Sequence, residues 1–247
     1  MKKVLKYGIF TLLVLVAGAM IWGWASNESK PVGTPGPEAD ALARKMMNAV
    51  HAEAWDTTRI VQWTFKGVHD YLWDKQNNLV KVHWDDQDVY LYTKTVTGKA
   101  FKNGAEVRDS LQKAELIQKA WAYFCNDSWW LNAPVKAFDP GTERSLVTLD
   151  DGRKGLMVTY TSGGVTPGDS YVWILDESGL PTSYKMWVSI IPVGGMEFTW
   201  EKWETLPTGA KVVTFHKSKV LELDISNLKA GQSWSDFGLE KSPFSEF

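Results

Sequence analysis

Large aromatic side chains on both faces of short strand-like segments constrain the fold of this chain most strongly. Fourteen tryptophans occur among its 247 residues. Seven lie in strand-like segments: Trp63, Trp73, Trp84, Trp173, Trp187, Trp200 and Trp203. An antiparallel sheet with one face in water needs only one apolar face. The remaining ring surface must therefore line a second core, a partner surface or an internal cavity.

Alternation of apolar and polar residues predicts that most of the chain forms β-strands. Val61, Trp63 and Phe65 alternate with polar residues, which is the pattern of a half-buried strand. About ten such strands are joined by short turns without a repeated strand–helix–strand unit, so we expect an antiparallel sheet. The predicted strands cover residues 61–65, 79–84, 89–95, 146–149, 156–161, 171–175, 184–190, 196–203, 212–216 and 220–225.

Two segments have helical rather than strand periodicity. A first helix is predicted to begin near Pro37 and to continue to about Ala54, and a second to run from about Arg108 to Phe124. Two helices are few for so wide a sheet, so we expect them to cover its concave face. The predicted fold class is mainly β with two or three helices.

The N-terminus predicts export from the cytoplasm. Three lysines within residues 2–6 precede an uncharged run over residues 7–25. This run is long enough to span a bilayer, and the lysines place its N-terminal side in the cytoplasm. Residues 1–25 are therefore either a membrane anchor or a signal peptide cleaved after Ala19 or Ala25. In both cases we expect the remaining chain to work in the cell envelope, on the periplasmic side.

Two further segments complete the predicted organisation. Residues 26–36 are rich in proline and glycine, which predicts a solvated tether that does not pack on the domain. Residues 37–247 are expected to form one domain. Cys125 is the only cysteine, so this domain has no intrachain disulfide, and the thiol is interpreted as a small buried hydrophobe.

Charge argues against a nucleic-acid partner. The whole chain has a net charge of −2, and without residues 1–25 it has 24 basic and 29 acidic residues, a net charge of −5. It contains no block of lysine or arginine that could neutralise a phosphate backbone.

Two stretches of the sequence resemble a known family. Residues 170–186 (SYVWILDESGLPTSYKM) resemble the central hairpin of the lipoprotein-carrier superfamily of exported envelope proteins. Residues 124–134 (FCNDSWWLNAP) and 138–141 (FDPG) are similar to uncharacterised exported relatives of that group. The resemblance covers about residues 37–230. It implies an open, curved antiparallel half-barrel with helices on the concave side, and an apolar cavity for acyl chains or similar ligands.

A hydrophobic cavity is therefore the leading prediction for the functional site. Its candidate lining residues are Trp63, Phe65, Trp73, Trp84, Tyr90, Trp173, Trp187, Phe198 and Trp200. The expected partner is a lipid or other hydrophobic small molecule. The alternative is that these rings fill the core completely, which would favour a structural or protein-interaction module.

A second, less favoured candidate site surrounds His83. An imidazole close to Asp85, Asp86 and Asp88 could serve acid–base chemistry or hold a metal, as in a hydrolase. Acidic residues between two strands are also ordinary turn formers, and His69 and Asp70 add no metal-ligand spacing. The sequence has no serine-hydrolase elbow and no phosphate-binding glycine loop. We therefore predict no catalytic residue, no metal and no cofactor.

Overall fold

The described part of the chain forms two antiparallel sheets and three α-helices. A computed structural model describes residues 27–245, so the predicted anchor or signal at residues 1–25 lies outside the described residues. The strands are β1 (Ile60–Phe65), β2 (His69–Asp74), β3 (Leu79–Trp84), β4 (Gln87–Tyr92), β5 (Thr97–Lys102), β6 (Ala105–Glu106), β7 (Thr142–Thr148), β8 (Lys154–Tyr160), β9 (Ser170–Leu175), β10 (Pro181–Trp187), β11 (Met196–Thr199), β12 (Glu201–Thr205), β13 (Lys211–Lys217) and β14 (Glu222–Gly231). The helices are α1 (Pro37–Ala49), α2 (Ala52–Thr57) and α3 (Ser110–Asn132). None of these helices is long and apolar enough to cross a membrane.

The two sheets form an open, curved half-barrel. One sheet has nine strands in the order β12-β13-β14-β1-β2-β3-β4-β5-β6, and the other has five in the order β11-β10-β9-β8-β7. Trp200 separates β11 from β12, so the chain passes at this residue from the smaller sheet to the larger. Neither sheet closes into a barrel. The predicted fold class is therefore confirmed.

The long helix α3 packs against the inner face of the curved sheet. It contacts β4, β5 and β13 and buries Ile117, Ala120, Phe124 and Leu131. Its side chains belong to one hydrophobic core that also contains residues of both sheets and of α1 and α2. Helix α3 thus covers part of the concave side.

Helix α3 extends beyond its predicted end at Phe124. The residues Asn126, Asp127 and Ser128 have turn-forming side chains, so the sequence indicated a helix end there. In the structure the helix continues to Asn132 because the Asp127 carboxylate is buried and bonded to side chains of β2. The polar side chains led the sequence prediction to end the helix too early. The residues that bind the Asp127 carboxylate lie on β2, far away in the sequence.

Several other element boundaries also differ from the predictions. The expected first helix is broken at His51, which has a left-handed backbone (φ 54°), so α1 and α2 are separate. Strands β2 and β5 were not predicted, and the predicted strand over residues 196–203 is divided at Trp200. Strand β14 starts at Glu222 and runs to Gly231, past the expected end at Ile225. Both hairpins predicted at residues 150–152 and 176–179 are present.

The predicted tether is bound to the domain rather than free of it. The backbone of Thr34 pairs with Leu146 at 2.8 and 2.9 Å in an isolated bridge. A Cβ atom at Gly33 would lie 2.2 Å from the Ser145 hydroxyl oxygen, so only glycine allows this close approach. The backbone N–H of Glu28 also bonds to Gly194 in the β10–β11 loop at 3.0 Å. The expectation of a solvated, unpacked tether is therefore wrong for this part of the segment.

Candidate functional site

A large cavity lies beside the C-terminal half of α3. Its volume is about 820 Å³, and it is partly open to solvent. One wall is α3 between Trp121 and Trp130, and the others come from the β1–β2 hairpin, the β8–β9 loop, the β10–β11 loop and the β13–β14 hairpin. Most of the lining surface is apolar. The helix covers the concave face at one end, whereas at this end it leaves a space that side chains do not fill.

Three of the predicted lining residues reach this cavity. Phe65 at the end of β1, Trp73 on β2 and Phe198 on β11 all line it. The indole of Trp73 packs edge-on against Phe124 of α3 with ring centroids 5.0 Å apart. The indole nitrogen of Trp73 is buried and has no hydrogen-bond partner within the described residues.

Three other predicted residues lie in packed aromatic clusters next to the cavity. Trp63 is fully buried and stacks on Tyr71 at a centroid distance of 4.5 Å. Trp173 and Trp200 contact each other at 4.9 Å, and both pack against Tyr184. None of these three tryptophans lines the cavity. Much of the aromatic excess therefore fills the core, as the alternative interpretation expected.

The remaining predicted residues lie away from the cavity. Trp84 points towards α3 but packs against Tyr123 (5.5 Å between centroids) without joining the lining. The other two make their contacts elsewhere: Tyr90 with Phe101 and Phe244, and Trp187 with Val147, Met157 and Val172. Strand alternation identifies the face on which a ring lies. It does not identify what occupies the space in front of that face.

A buried carboxylate forms the polar end of the cavity. Asp127 on α3 is 1 % exposed and lines the cavity. Its Oδ2 atom lies 2.7 Å from Nδ1 of His69 and accepts a hydrogen bond from the Tyr71 hydroxyl at 2.5 Å. Its Oδ1 atom accepts a bond from the Asn126 amide at 2.7 Å. Three side chains therefore satisfy a carboxylate that would be costly to bury alone.

This cluster fixes the protonation of Tyr71 and the orientation of His69. Burial, followed by the neighbouring Asp127 carboxylate, raises the pKa of Tyr71 far above its ordinary value, so the phenol stays a donor. The His69 ring also stacks on Tyr123 at a centroid distance of 4.0 Å. With Nδ1 directed at Asp127, Nε2 is the ring nitrogen that remains for a ligand. Sequence reasoning noted His69 but could not pair it with a residue 58 positions away.

Cys125 also lines the cavity and is only partly buried. Burial raises the pKa of this thiol to about 12, so it is protonated at neutral pH. A protonated thiol is a weak nucleophile, which agrees with the interpretation of Cys125 as a structural residue.

In the alternative site, the structure pairs His83 with one carboxylate, that of Asp88. His83 Nδ1 lies 3.2 Å from Asp88 across the β3–β4 hairpin, and among the described residues no hydrogen bond or ion pair joins it to Asp85 or Asp86. Asp86 instead accepts a hydrogen bond from the Asn103 amide at 2.9 Å. Within residues 27–245, no group of three or more histidine, cysteine or acidic side chains could hold a metal ion.

Comparison with solved structures gives matches that include two of low sequence identity. No protein-family model matches the chain, and no curated protein matches it. A DUF1329 family protein from Desulfovibrio piger has 13% sequence identity and a TM-score of 0.39, with 81% of this chain and 96% of that chain covered. A domain from Vibrio parahaemolyticus, proposed to belong to an outer membrane lipoprotein-sorting protein, has 10% identity and a TM-score of 0.34, with 83% and 97% covered.

The second match falls in the lipoprotein-sorting class that the sequence resembles. At such low identities and TM-scores, neither match carries a functional argument.

Proposed function

We propose that this protein binds a lipid or another hydrophobic molecule in the cavity beside α3. The observation that carries the proposal is a partly open space of about 820 Å³ with a mainly apolar lining. Ligand pockets in proteins typically have a few hundred to a thousand Å³ and a largely apolar wall with few polar groups. The His69–Asp127–Tyr71 cluster supplies such a polar group at the wall.

The lining favours an amphiphile with an acyl chain. Removing a methylene from water contributes about 0.8 kcal/mol, so eight buried methylenes contribute about 6 kcal/mol before the cost of ordering the chain. Aromatic and aliphatic side chains provide the surface for that contact, and Nε2 of His69 is available to a polar head. The protein would thus hold its ligand mainly by apolar burial.

We further propose that the protein works on the outer side of the cytoplasmic membrane, attached by residues 7–25. The support is the uncharged length of this segment and the three lysines before it. Cleavage of the segment would instead release the domain into the periplasm.

Filling the cavity tests ligand binding directly. Ala122 lines the cavity from α3, so Ala122→Trp is expected to reduce binding of a fluorescent long-chain fatty acid at least tenfold. Glu115→Trp is the matched control, because Glu115 is an exposed residue of the same helix outside the cavity lining. Equal probe affinity in the wild type and both variants would refute the proposed binding site.

The alternative of a protein-interaction module makes a different prediction. It expects no probe binding by the wild type and concentration-dependent self-association, measured by analytical ultracentrifugation. The observation in its favour is that four of the nine candidate rings, those of Trp63, Trp84, Trp173 and Trp200, pack in the core and do not line the cavity.

A further inference from the structure

The cavity mouth concentrates exposed apolar side chains. Of the eight large apolar side chains that are exposed within residues 27–245, four line this one cavity. They are Val68 (58 % exposed), Val165 (47 %), Ile190 (70 %) and Leu221 (41 %). Each comes from a different connection: β1–β2, β8–β9, β10–β11 and β13–β14. Val220, next to Leu221, is also exposed. An apolar set shared by four separate loops indicates a contact surface.

The same loops carry a cationic surplus. Lys66 and Lys219 are exposed and their side chains form no ion pair or hydrogen bond with any described residue. Lys217 is paired with Glu222 at 2.7 Å. The Asp169 carboxylate is buried and accepts a bond from the Ser189 N–H at 2.9 Å. The mouth is therefore positive on a chain whose residues after position 25 have a net charge of −5.

Other acidic residues near the mouth do not offset this surplus. Asp70 and Asp224 alternate along their strands with His69 and Leu223, which line the cavity, so they lie on the opposite face of the sheet. Asp139 is paired with Lys136. The surface around the opening is thus apolar with free lysines beside it, as in protein surfaces that contact anionic lipid headgroups.

The start of the described chain is bound at the β10–β11 loop, one of the four connections that contribute to the mouth. The Asn27 side chain accepts a hydrogen bond from the Gly194 N–H at 2.8 Å, and the Glu28 N–H donates to the Gly194 carbonyl at 3.0 Å. The Trp187 indole donates to the Glu28 carbonyl at 2.8 Å, and Lys185 pairs with the Glu28 carboxylate at 2.8 Å. Gly194 belongs to the β10–β11 loop, which also carries Ile190.

Few residues separate this contact from the apolar N-terminal segment. Asn27 follows the apolar segment of residues 7–25 by two residues, which span at most about 7 Å. If that segment crosses the bilayer, the β10–β11 loop, which contributes Ile190 to the mouth, lies at the bilayer surface.

We infer that the cavity mouth is held against the outer surface of the membrane in which the chain is anchored. Val68, Ile190 and Leu221 insert among the lipids, with Lys66 and Lys219 at the anionic headgroups. The inference rests on the proposed anchor and deepens the proposed function, because a ligand could then enter from the bilayer without crossing water. The partner is therefore a phospholipid bilayer.

Site-specific labelling of the full chain tests this orientation. In a Cys125→Ser background, the single changes Val68→Cys, Ile190→Cys and Leu221→Cys carry an environment-sensitive fluorophore. The proteins are placed in vesicles of phosphatidylethanolamine and phosphatidylglycerol containing a doxyl-phospholipid quencher. Leu111→Cys is the control: this residue is exposed at the other end of α3, about 20 Å along the helix from Cys125.

We expect quenching of the three mouth labels to be at least threefold stronger than that of Leu111→Cys, and Lys66→Glu with Lys219→Glu to weaken it. Equal quenching at all four sites would overturn the inference. Circular dichroism of each labelled protein confirms that it is folded. Fatty-acid probe binding by the unlabelled wild-type protein separates the two proposals. Probe binding with equal quenching refutes only the orientation, and unequal quenching without probe binding refutes only the ligand site.

Discussion

The imidazole of His216 is the most deeply buried ionisable ring among the described histidines. It is fully buried between Trp130 and Trp200, with ring centroids 5.0 and 4.7 Å away. Its Nε2 atom lies 2.8 Å from the Trp130 carbonyl oxygen and its Nδ1 atom 3.3 Å from the Thr199 carbonyl oxygen. Burial lowers the pKa of His216 to about 4 despite these two carbonyls. The folded protein therefore keeps this ring neutral.

The low pKa of His216 predicts loss of stability in acid. Because the pKa is lower in the folded state (about 4) than in the unfolded state, the unfolded chain takes up a proton first as the pH falls from about 7 to 4. The free energy of unfolding should fall by about 3 kcal/mol from this group over that range. Urea unfolding at several pH values measures it. The free energy of unfolding should depend less on pH in His216→Gln than in the wild type, whereas His51→Gln, a change at an exposed residue, should leave the pH dependence unchanged. The same pH dependence in His216→Gln and the wild type would contradict the low pKa of His216.

Removing the Asp127 carboxylate leaves two buried donors without an acceptor. Asp127→Ala should therefore lower the free energy of unfolding by about 2 kcal/mol, because the Tyr71 hydroxyl and His69 Nδ1 lose their partner. Asp127→Asn keeps one oxygen acceptor and should cost less. Urea denaturation of the wild type and both variants measures these differences. Equal free energies of unfolding for Asp127→Ala and the wild type would contradict the prediction.

At the scale of elements, helix α3 connects the fold to the cavity. Its first half fills the concave face and its second half forms one cavity wall. The Asp109 side chain caps its start by accepting a bond from the Gln112 N–H at 2.8 Å. Stability of this one helix should therefore affect both packing and the shape of the site.

The Asp109 cap is predicted to stabilise helix α3. Asp109→Ala should reduce the free energy of unfolding by about 1 kcal/mol, since it leaves a helix-end N–H without its side-chain acceptor. Asp109→Asn preserves an N-cap acceptor and should remain within a few tenths of a kcal/mol of the wild type. Thermal unfolding followed by circular dichroism measures both. Identical losses for the two variants would show that the cap does not act as described.

Element types were predictable where local pattern dominates. The hairpins at residues 150–152 and 176–179 follow from short turn signals, and the antiparallel sheet follows from alternation. Strand β2 was missed because charged residues occupy both of its ends, His69-Asp70 and Asp74. The second half of α3 was missed because Asp127 looks like a turn residue until its partners on β2 are known.

At the scale of the whole molecule, the sequence predicted a curved sheet with more aromatic side chains than one sheet face can bury. In the structure, some of these side chains pack in the core and others line the cavity. Trp63, Trp173 and Trp200 fill the core, whereas Phe65, Trp73 and Phe198 line the cavity. The division depends on where α3 crosses the sheet, which is a long-range property. For the same reason, the loop residues Val165 and Ile190 could not be assigned to the mouth from local sequence.

The proposed function requires a hydrophobic molecule to occupy the cavity in the cell. Residues 27–247 contain both sheets and the shared core, so this part can be exported and purified without detergent. Native mass spectrometry followed by solvent extraction tests this requirement most directly. We predict a lipid-sized mass that is lost on denaturation and is absent from Ala122→Trp but present in Glu115→Trp. A ligand-free mass for the wild type, together with failure to bind a fatty-acid probe, would contradict the proposed function.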